Sequence, residues 1–222
     1  QCEASNLQVE DKLVTFINTE RVEISPSDSF TTLAEYLRYQ KGLCGTKVVC
    51  AEGDCGACTV LIKKDNEYKS VNSCIMPVYL AHGQHIVTVE GVNANSSDAL
   101  HPVQAAMIEH QGAQCGYCTP GFICALTGFV DACNEQGKQI TEKRVKNCLT
   151  GNLCRCTGYL PIVNAACAVK QHEVKSLKSR YENQEREQEC ASLALKSVNI
   201  ENKIFLPVTL TEALEIKQTY AD

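Results

Sequence analysis

The sequence predicts an α+β protein in two parts, a small mixed sheet followed by an all-helical unit. Three observations carry that expectation. Within residues 1–92, short runs of alternating apolar residues bracket a single helical stretch. From 98 to 170 the apolar spacing is helical, with four candidate helices. The cysteines gather in two blocks, one in each part, and at 222 residues the chain has room for two small domains that each bury a core of their own.

The first part opens with Leu13-Val14-Thr15-Phe16-Ile17, a turn over 18–20, and Arg21-Val22-Glu23-Ile24, which alternates as a half-buried strand does. Together they predict a hairpin. Residues 31–39 carry Leu33, Tyr36 and Leu37 at helical spacing, Thr32 with Glu35 fits a capping box, and Lys41-Gly42 ends the helix. Strands are expected at 59–62 and 68–71, around a polar turn at 63–66, and finally at 85–89. His82 and His85 are expected at the surface of the turn before that last strand, with no third partner nearby to make them metal ligands.

Between the helix and the strand at 59 lies Cys50-Ala51-Glu52-Gly53-Asp54-Cys55-Gly56-Ala57-Cys58, closed further on by Cys74. Four residues and then two separate successive cysteines, the plant-type spacing for a [2Fe-2S] cluster. Gly53, Gly56 and Ala57 leave room for a loop that hugs the cluster, and glycine reaches the positive φ such a wrap needs. Successive backbone N–H groups can then point inward as an anion-binding nest. Structural zinc and a disulfide are the alternatives, because a C-x2-C pair with further thiolates also builds a tetrahedral site. With this loop on its rim, a small mixed sheet over one helix is the β-grasp arrangement of ferredoxin-like 2Fe-2S domains.

Residues 93–98 form a polar connector, and helices follow. Pro102 suits the first turn of a helix to about residue 111. Thr119-Pro120-Gly121 opens a second through Phe122, Leu126, Phe129 and Val130; a third spans 141–149 with Thr141 as cap; a fourth begins at Pro161 and passes Val169. Two segments interrupt this compact four-helix unit. Gln114-Cys115-Gly116-Tyr117-Cys118-Thr119-Pro120-Gly121 precedes the second helix, and Gly151-Asn152-Leu153-Cys154-Arg155-Cys156-Thr157-Gly158-Tyr159 precedes the fourth. Each delivers two thiolates before a helix N-terminus, where free N–H groups favour an anionic cluster. If helix directions alternate, both N-termini lie at one end and the four thiolates converge. A zinc site joining the two loops is the alternative.

Residues 171–200 are rich in Lys, Glu, Gln and Ser and read as a solvated, charged linker. Residues 201–222 turn apolar again and enter a helix capped at Thr209 or Thr211, which suggests a new structural unit cut short. A net charge of -5 gives no sign of a nucleic-acid surface, and no apolar run is long enough to cross a membrane. Fifteen cysteines, an odd number, with no secretory pattern before the first strand, point to a reducing cytoplasm with metal-bound thiolates rather than a disulfide scaffold. Cys2, Cys44, Cys124, Cys133, Cys148, Cys167 and Cys190 lie outside the motifs and are expected to pack as small apolar residues.

The three cysteine motifs together, in this order, resemble the iron-sulfur region of the xanthine dehydrogenase and aldehyde oxidase family of molybdenum hydroxylases. The resemblance runs from about residue 10 to 170 and, more weakly, over the tail, where Leu206-Pro207 to Leu214 is similar to the entry into that family's FAD-binding domain. It implies a β-grasp domain over 1–92 holding one [2Fe-2S] cluster through Cys50, Cys55, Cys58 and Cys74. It implies a helical domain over 98–170 holding a second through Cys115, Cys118, Cys154 and Cys156, with Gln114 and Cys156 against the molybdopterin. Electrons then pass from molybdopterin through the helical-domain cluster to the other and on to FAD, both end cofactors lying on other domains or subunits of a dimer or hetero-oligomer. Hydroxylation of a purine, N-heterocycle or aldehyde takes place elsewhere, so no catalytic base is expected here. A carbon monoxide dehydrogenase-like small subunit and a free-standing electron carrier are the other arrangements. Cys44, beside Gly45-Thr46-Lys47, and Val48-Val49 depart from the commonest family pattern, and Cys44 is expected to be packed.

Overall fold

The structure, a computed structural model, describes residues 9–94, 100–201 and 204–220, so Cys2 and most of the connector at 93–98 lie outside the described residues. Strand β1 (Val9–Glu10) leads into the hairpin β2 (Leu13–Ile17) and β3 (Glu20–Ile24), paired in register from Leu13↔Ile24 to Ile17↔Glu20. Asn18 turns the corner at φ 53°, a left-handed conformation that asparagine tolerates. Helix α1 (Leu33–Glu35) starts with the expected reciprocal cap: the Glu35 N–H donates to Thr32 Oγ1 at 3.2 Å and the Thr32 N–H to the Glu35 carboxylate at 3.4 Å. One wide π turn, Tyr36–Gln40, continues it.

After the cysteine loop come β4 (Thr59–Lys64), β5 (Glu67–Asn72) and β6 (His85–Val87). The five strands form a mixed sheet in the order β3-β2-β6-β4-β5, in which only the β2–β6 pair is parallel. Four helices follow: α2 (Pro102–Glu109), α3 (Thr119–Glu135), α4 (Glu142–Cys148) and α5 (Leu160–Ala168). Proline falls within the first two positions of α2, α3 and α5, where its missing N–H costs nothing. Beyond them lie α6 (Leu177–Arg180), α7 (Gln184–Ala194), β7 (Ser197–Ile200), β8 (Ile204–Leu206) and α8 (Leu210–Thr219), the last capped by Thr209. Strand β7 pairs parallel to β1 and antiparallel to β8, a second, three-stranded sheet that ties the tail to the start of the chain.

Strand periodicity explains how the parts join. Val60 and Ile62 of β4 pack with Leu33, Tyr36 and Leu37 around α1, while Leu61, between them, faces the other way and packs with Phe122 and Leu126 of α3. The sheet is therefore covered on both faces: it buries one core against α1 and shares a second with the helices. Tyr68 and Val87 belong to the same apolar cluster as the helices.

Two expectations are corrected. His85 is buried, its Nε2–H donating to the Asn18 carbonyl at 2.7 Å and its Nδ1 accepting from Tyr68 Oη at 2.7 Å; His82 is half-buried and its Nδ1 accepts the Val14 N–H at 3.1 Å. Residues 171–200 are not a solvated linker. Val174, Leu177 and Tyr181 enter the helical core, Leu193 is buried, and α7 is pinned to the sheet by Lys63–Glu187 and Arg21–Glu189 ion pairs at 2.6 and 2.7 Å. Among the described residues no helix is long and apolar enough to cross a membrane.

Candidate metal centres

The first loop is organised before any metal is considered. Arg38 donates to the carbonyls of Cys44 and Thr46 at 3.0 and 2.7 Å, and the Gly45 N–H to Glu90 at 2.7 Å. Gly53 and Gly56 take φ of 82° and 69°, as the tight wrap requires. Cys58 and Cys74 are buried behind Ala34 of α1, and Ser73 Oγ donates to the Cys58 carbonyl at 2.6 Å. Cys50 and Cys55 stand nearer the surface, with the Cys55 N–H donating to Cys50 Sγ at 3.4 Å.

The thiols pair within this set. Cys50 lies within hydrogen-bonding reach of Cys55, and Cys58 of Cys74. Backbone N–H groups of Glu52, Cys55 and Asp54 pull the Cys50 thiol down to about 6, the electrostatics of an anion nest. Burial, and then the Cys58 thiol, push Cys74 up to about 12.

The second set is assembled from both interhelical loops. Cys115 and Cys156, exposed, stand 3.5 Å apart, and Cys118 pairs with Cys154 half-buried beneath them. The Tyr117 N–H, followed by Cys156, lowers the Cys115 thiol; burial opposes ionisation of Cys154, but hydrogen bonds from Thr157, Cys156 and Cys118 overcome it. Burial raises Cys118 to about 12. Gln114 is exposed beside Cys115.

Two thiolates on one tetrahedral metal with bonds of about 2.3 Å stand about 3.8 Å apart, so each of these pairs suits one metal ion. Among the described residues no three of His, Cys, Asp and Glu converge on a single ion position. Two pairs per site are the donor set of a two-metal, sulfide-bridged cluster, in which each iron takes two thiolates.

Several neighbours of these thiols make contacts that cysteine spacing alone does not reveal. Thr157 Oγ1 lies 3.1 Å from Cys154 Sγ, and Tyr159 Oη accepts the Cys154 N–H at 3.0 Å while its own backbone takes φ 69°. The two loops also touch each other. The Leu153 N–H donates to the Cys55 carbonyl at 2.9 Å, Asn152 Nδ2 donates to the Gly56 carbonyl at 3.0 Å, and Lys47 Nζ sits 5.8 Å from the centre of the Tyr117 ring. Of the remaining cysteines, Cys124 and Cys133 are buried and Cys148 donates to the Ala125 carbonyl at 3.6 Å, whereas Cys44 and Cys167 are, against expectation, both exposed.

The fold and the two thiol sets define a protein with two 2Fe-2S-binding units in tandem. Residues 15–79 match the model of the 2Fe-2S iron-sulfur cluster binding domain, and residues 88–167 that of a [2Fe-2S] binding domain. The chain is 41% identical over 162 residues to xanthine dehydrogenase of Blastobotrys adeninivorans, covering 70% of this chain and 11% of that protein. It is 42% identical over 159 residues to rat (Rattus norvegicus) xanthine dehydrogenase/oxidase, covering 69% and 12%. Among solved structures, aldehyde oxidoreductase from Desulfovibrio gigas is similar with TM-score 0.62 and 36% identity over 70% of this chain and 16% of that one. A chain of quinoline 2-oxidoreductase from Pseudomonas putida 86 is similar with TM-score 0.63 and 30% identity over 80% of this chain and 99% of that one. The chain belongs to the molybdenum hydroxylase family, of which it is the 2Fe-2S region. It carries two 2Fe-2S-binding units and spans 11–12% of the length of these curated relatives.

Proposed function

We propose that this chain is the electron-transfer unit of a xanthine dehydrogenase-like molybdenum hydroxylase, passing electrons singly from a molybdopterin centre through two [2Fe-2S] clusters to FAD. The observation that carries the reading is the contact between the two thiol sets, joined through the Cys55 carbonyl and the Leu153 N–H at 2.9 Å. When bound, the clusters supply one-electron sites between two-electron chemistry at either end. Cys50, Cys55, Cys58 and Cys74 hold the first; Cys115, Cys118, Cys154 and Cys156 hold the second. The inward N–H groups of the first loop favour its anionic charge, and Thr157 donates to a ligand sulfur of the second.

Exposed Gln114, Cys115 and Cys156 form the face that meets the molybdopterin domain or subunit, and exposed Val49 and Ile75, each next to a first-set ligand, face the flavin side. The finer architecture goes with this reading: a β-grasp unit over 1–92, a four-helix unit over 98–170, and 201–222 as the entry to a FAD-binding domain in a cytoplasmic enzyme. A second arrangement, a separate iron-sulfur subunit, is favoured by the quinoline 2-oxidoreductase chain, 99% of which is covered by this one.

Iron and acid-labile sulfide per chain, with EPR of the dithionite-reduced protein at two temperatures, test the proposal. Two distinct [2Fe-2S] signals are expected. Zinc in the second set, or a single signal, overturns it.

A further inference from the structure

Asn152 is buried although Gly151 and Leu153 on either side are exposed. Its Nδ2 leaves the second loop altogether and donates to the Gly56 carbonyl at 3.0 Å and to Thr59 Oγ1 at 3.2 Å, both in or beside the first loop. The Gly56 carbonyl does not depend on it, because the Thr59 N–H at 3.1 Å and the Thr59 hydroxyl at 2.7 Å already donate to that oxygen. Satisfying an orphaned acceptor is therefore not what this side chain contributes. It crosses a seam.

The seam is drawn to backbone contact. A Cβ on Gly56 would lie 2.2 Å from the Gly151 carbonyl oxygen and 2.6 Å from Asn152 Nδ2, and a Cβ on Gly121 would lie 2.2 Å from the Gly56 oxygen. Gly56 stands between the ligands Cys55 and Cys58, Asn152 just before Cys154, and Gly121 just after Cys118. Both ligand loops are thus locked at one spacing, at which the Leu153 N–H reaches the Cys55 carbonyl at 2.9 Å.

We propose that Asn152 is a positioning residue for electron exchange between the two cluster sites, a clamp that sets their separation. The inference rests on the electron-transfer reading above. The step it serves moves one electron: the reduced site of Cys115, Cys118, Cys154 and Cys156 is oxidised by one electron and the site of Cys50, Cys55, Cys58 and Cys74 is reduced by one. No proton or leaving group takes part. Electron exchange between two fixed sites falls off steeply with their separation, so a widened seam slows it.

The test is Asn152→Leu, branched at the same atom but without the donor, in the full chain loaded with iron and sulfide. Three quantities are read: iron and sulfide content with the g-values of each signal, the dipolar splitting between the two reduced clusters, and the rate at which one photoinjected electron redistributes between them. The expected result is unchanged content and g-values, a smaller splitting, and redistribution slowed several-fold. A merely structural role for Asn152 moves stability but neither of the last two. Unchanged splitting and exchange in the fully loaded variant overturn the proposal. Should Asn152→Leu fail to fold or load, Gly121→Ala, which forces the same seam open, decides in its place: a smaller splitting supports the clamp, and an unchanged one, or loss of the second cluster alone, overturns it. Failure of the electron-transfer reading is seen separately, as fewer than two iron-sulfur signals in the unmodified chain.

Discussion

Thr157 lies next to Cys156 but places its hydroxyl 3.1 Å from Cys154, and the same oxygen accepts the Tyr159 N–H at 3.2 Å. A ligand thiolate can only accept, so toward the sulfur the hydroxyl donates. A donor on a ligand sulfur stabilises the more negative, reduced state of a bound cluster and raises its potential. Thr157→Val keeps the shape and deletes the donor. Taking a hydrogen bond as about 1 kcal/mol, the potential of the second site is expected to fall by about 40 mV, with the first unmoved. A redox titration followed by EPR reads both, and an equal drop at the two sites counts against a local effect. At this scale the gathering of the cysteines into two sets was legible, because thiols within one loop keep a fixed spacing. Thr157 and Tyr159 belong to a cysteine motif whose spacing gives neither of them a role. Asn152 was less legible still: its partner Gly56 lies 96 residues away, and no local periodicity records such a bond.

Helix α6 shows the same limit one level up. Lys175, Lys178, Arg180 and Glu182 make the stretch around it look solvated, and its apolar residues are too few to raise any periodic signal. Those few are anchors. Leu177 has no exposed surface, its N–H donates to the buried Asp131 carboxylate at 2.7 Å, and Tyr181 Oη donates to the Gly91 carbonyl at 2.7 Å. Leu177→Ala is expected to destabilise the chain by about 3 kcal/mol, as the removal of a fully buried leucine does when the site cannot collapse. Denaturant unfolding measures the loss, and limited proteolysis is expected to move to 171–195 in the variant. A loss below about 1 kcal/mol would return this segment to the status of a linker. The helices α2 to α5, in contrast, were readable to within a few residues because caps and N-terminal prolines mark their starts, and β4 was readable as a strand without revealing that both its faces are covered.

Over the whole molecule, the joints between sheet, helices and the 171–195 segment are made by buried titratable groups. His85 of β6 bonds Tyr68 of β5 and stacks edge-on against Tyr181 at 4.6 Å; His101 caps α2; Asp131 of α3 ties down α6. Burial, helped by Arg186, drives His85 down to about 3, and burial, helped by Arg180, drives His101 to about 4; burial, with Glu135 adding to it and Leu177 and Arg180 opposing, lifts Asp131 to about 6. The signs oppose. Each histidine takes up a proton more readily when unfolded, so its contribution is present above about 6.5 and is lost as pH falls toward its folded value, about 2 kcal/mol each between pH 7 and 5. Asp131 does the reverse: protonation below about 6 relieves a buried charge and returns about 1 kcal/mol over the same interval. The histidines outweigh it, and the chain is expected to lose about 2 to 3 kcal/mol between pH 7 and 5. Guanidinium unfolding at the two pH values measures the difference. In His85→Gln/His101→Gln, compared with its own value at pH 7, most of the decline should disappear, because Asp131 then titrates opposite His82, whose protonation burial also disfavours. A decline of unchanged size in that variant would place the acid sensitivity in the thiolate loops instead of in these joints.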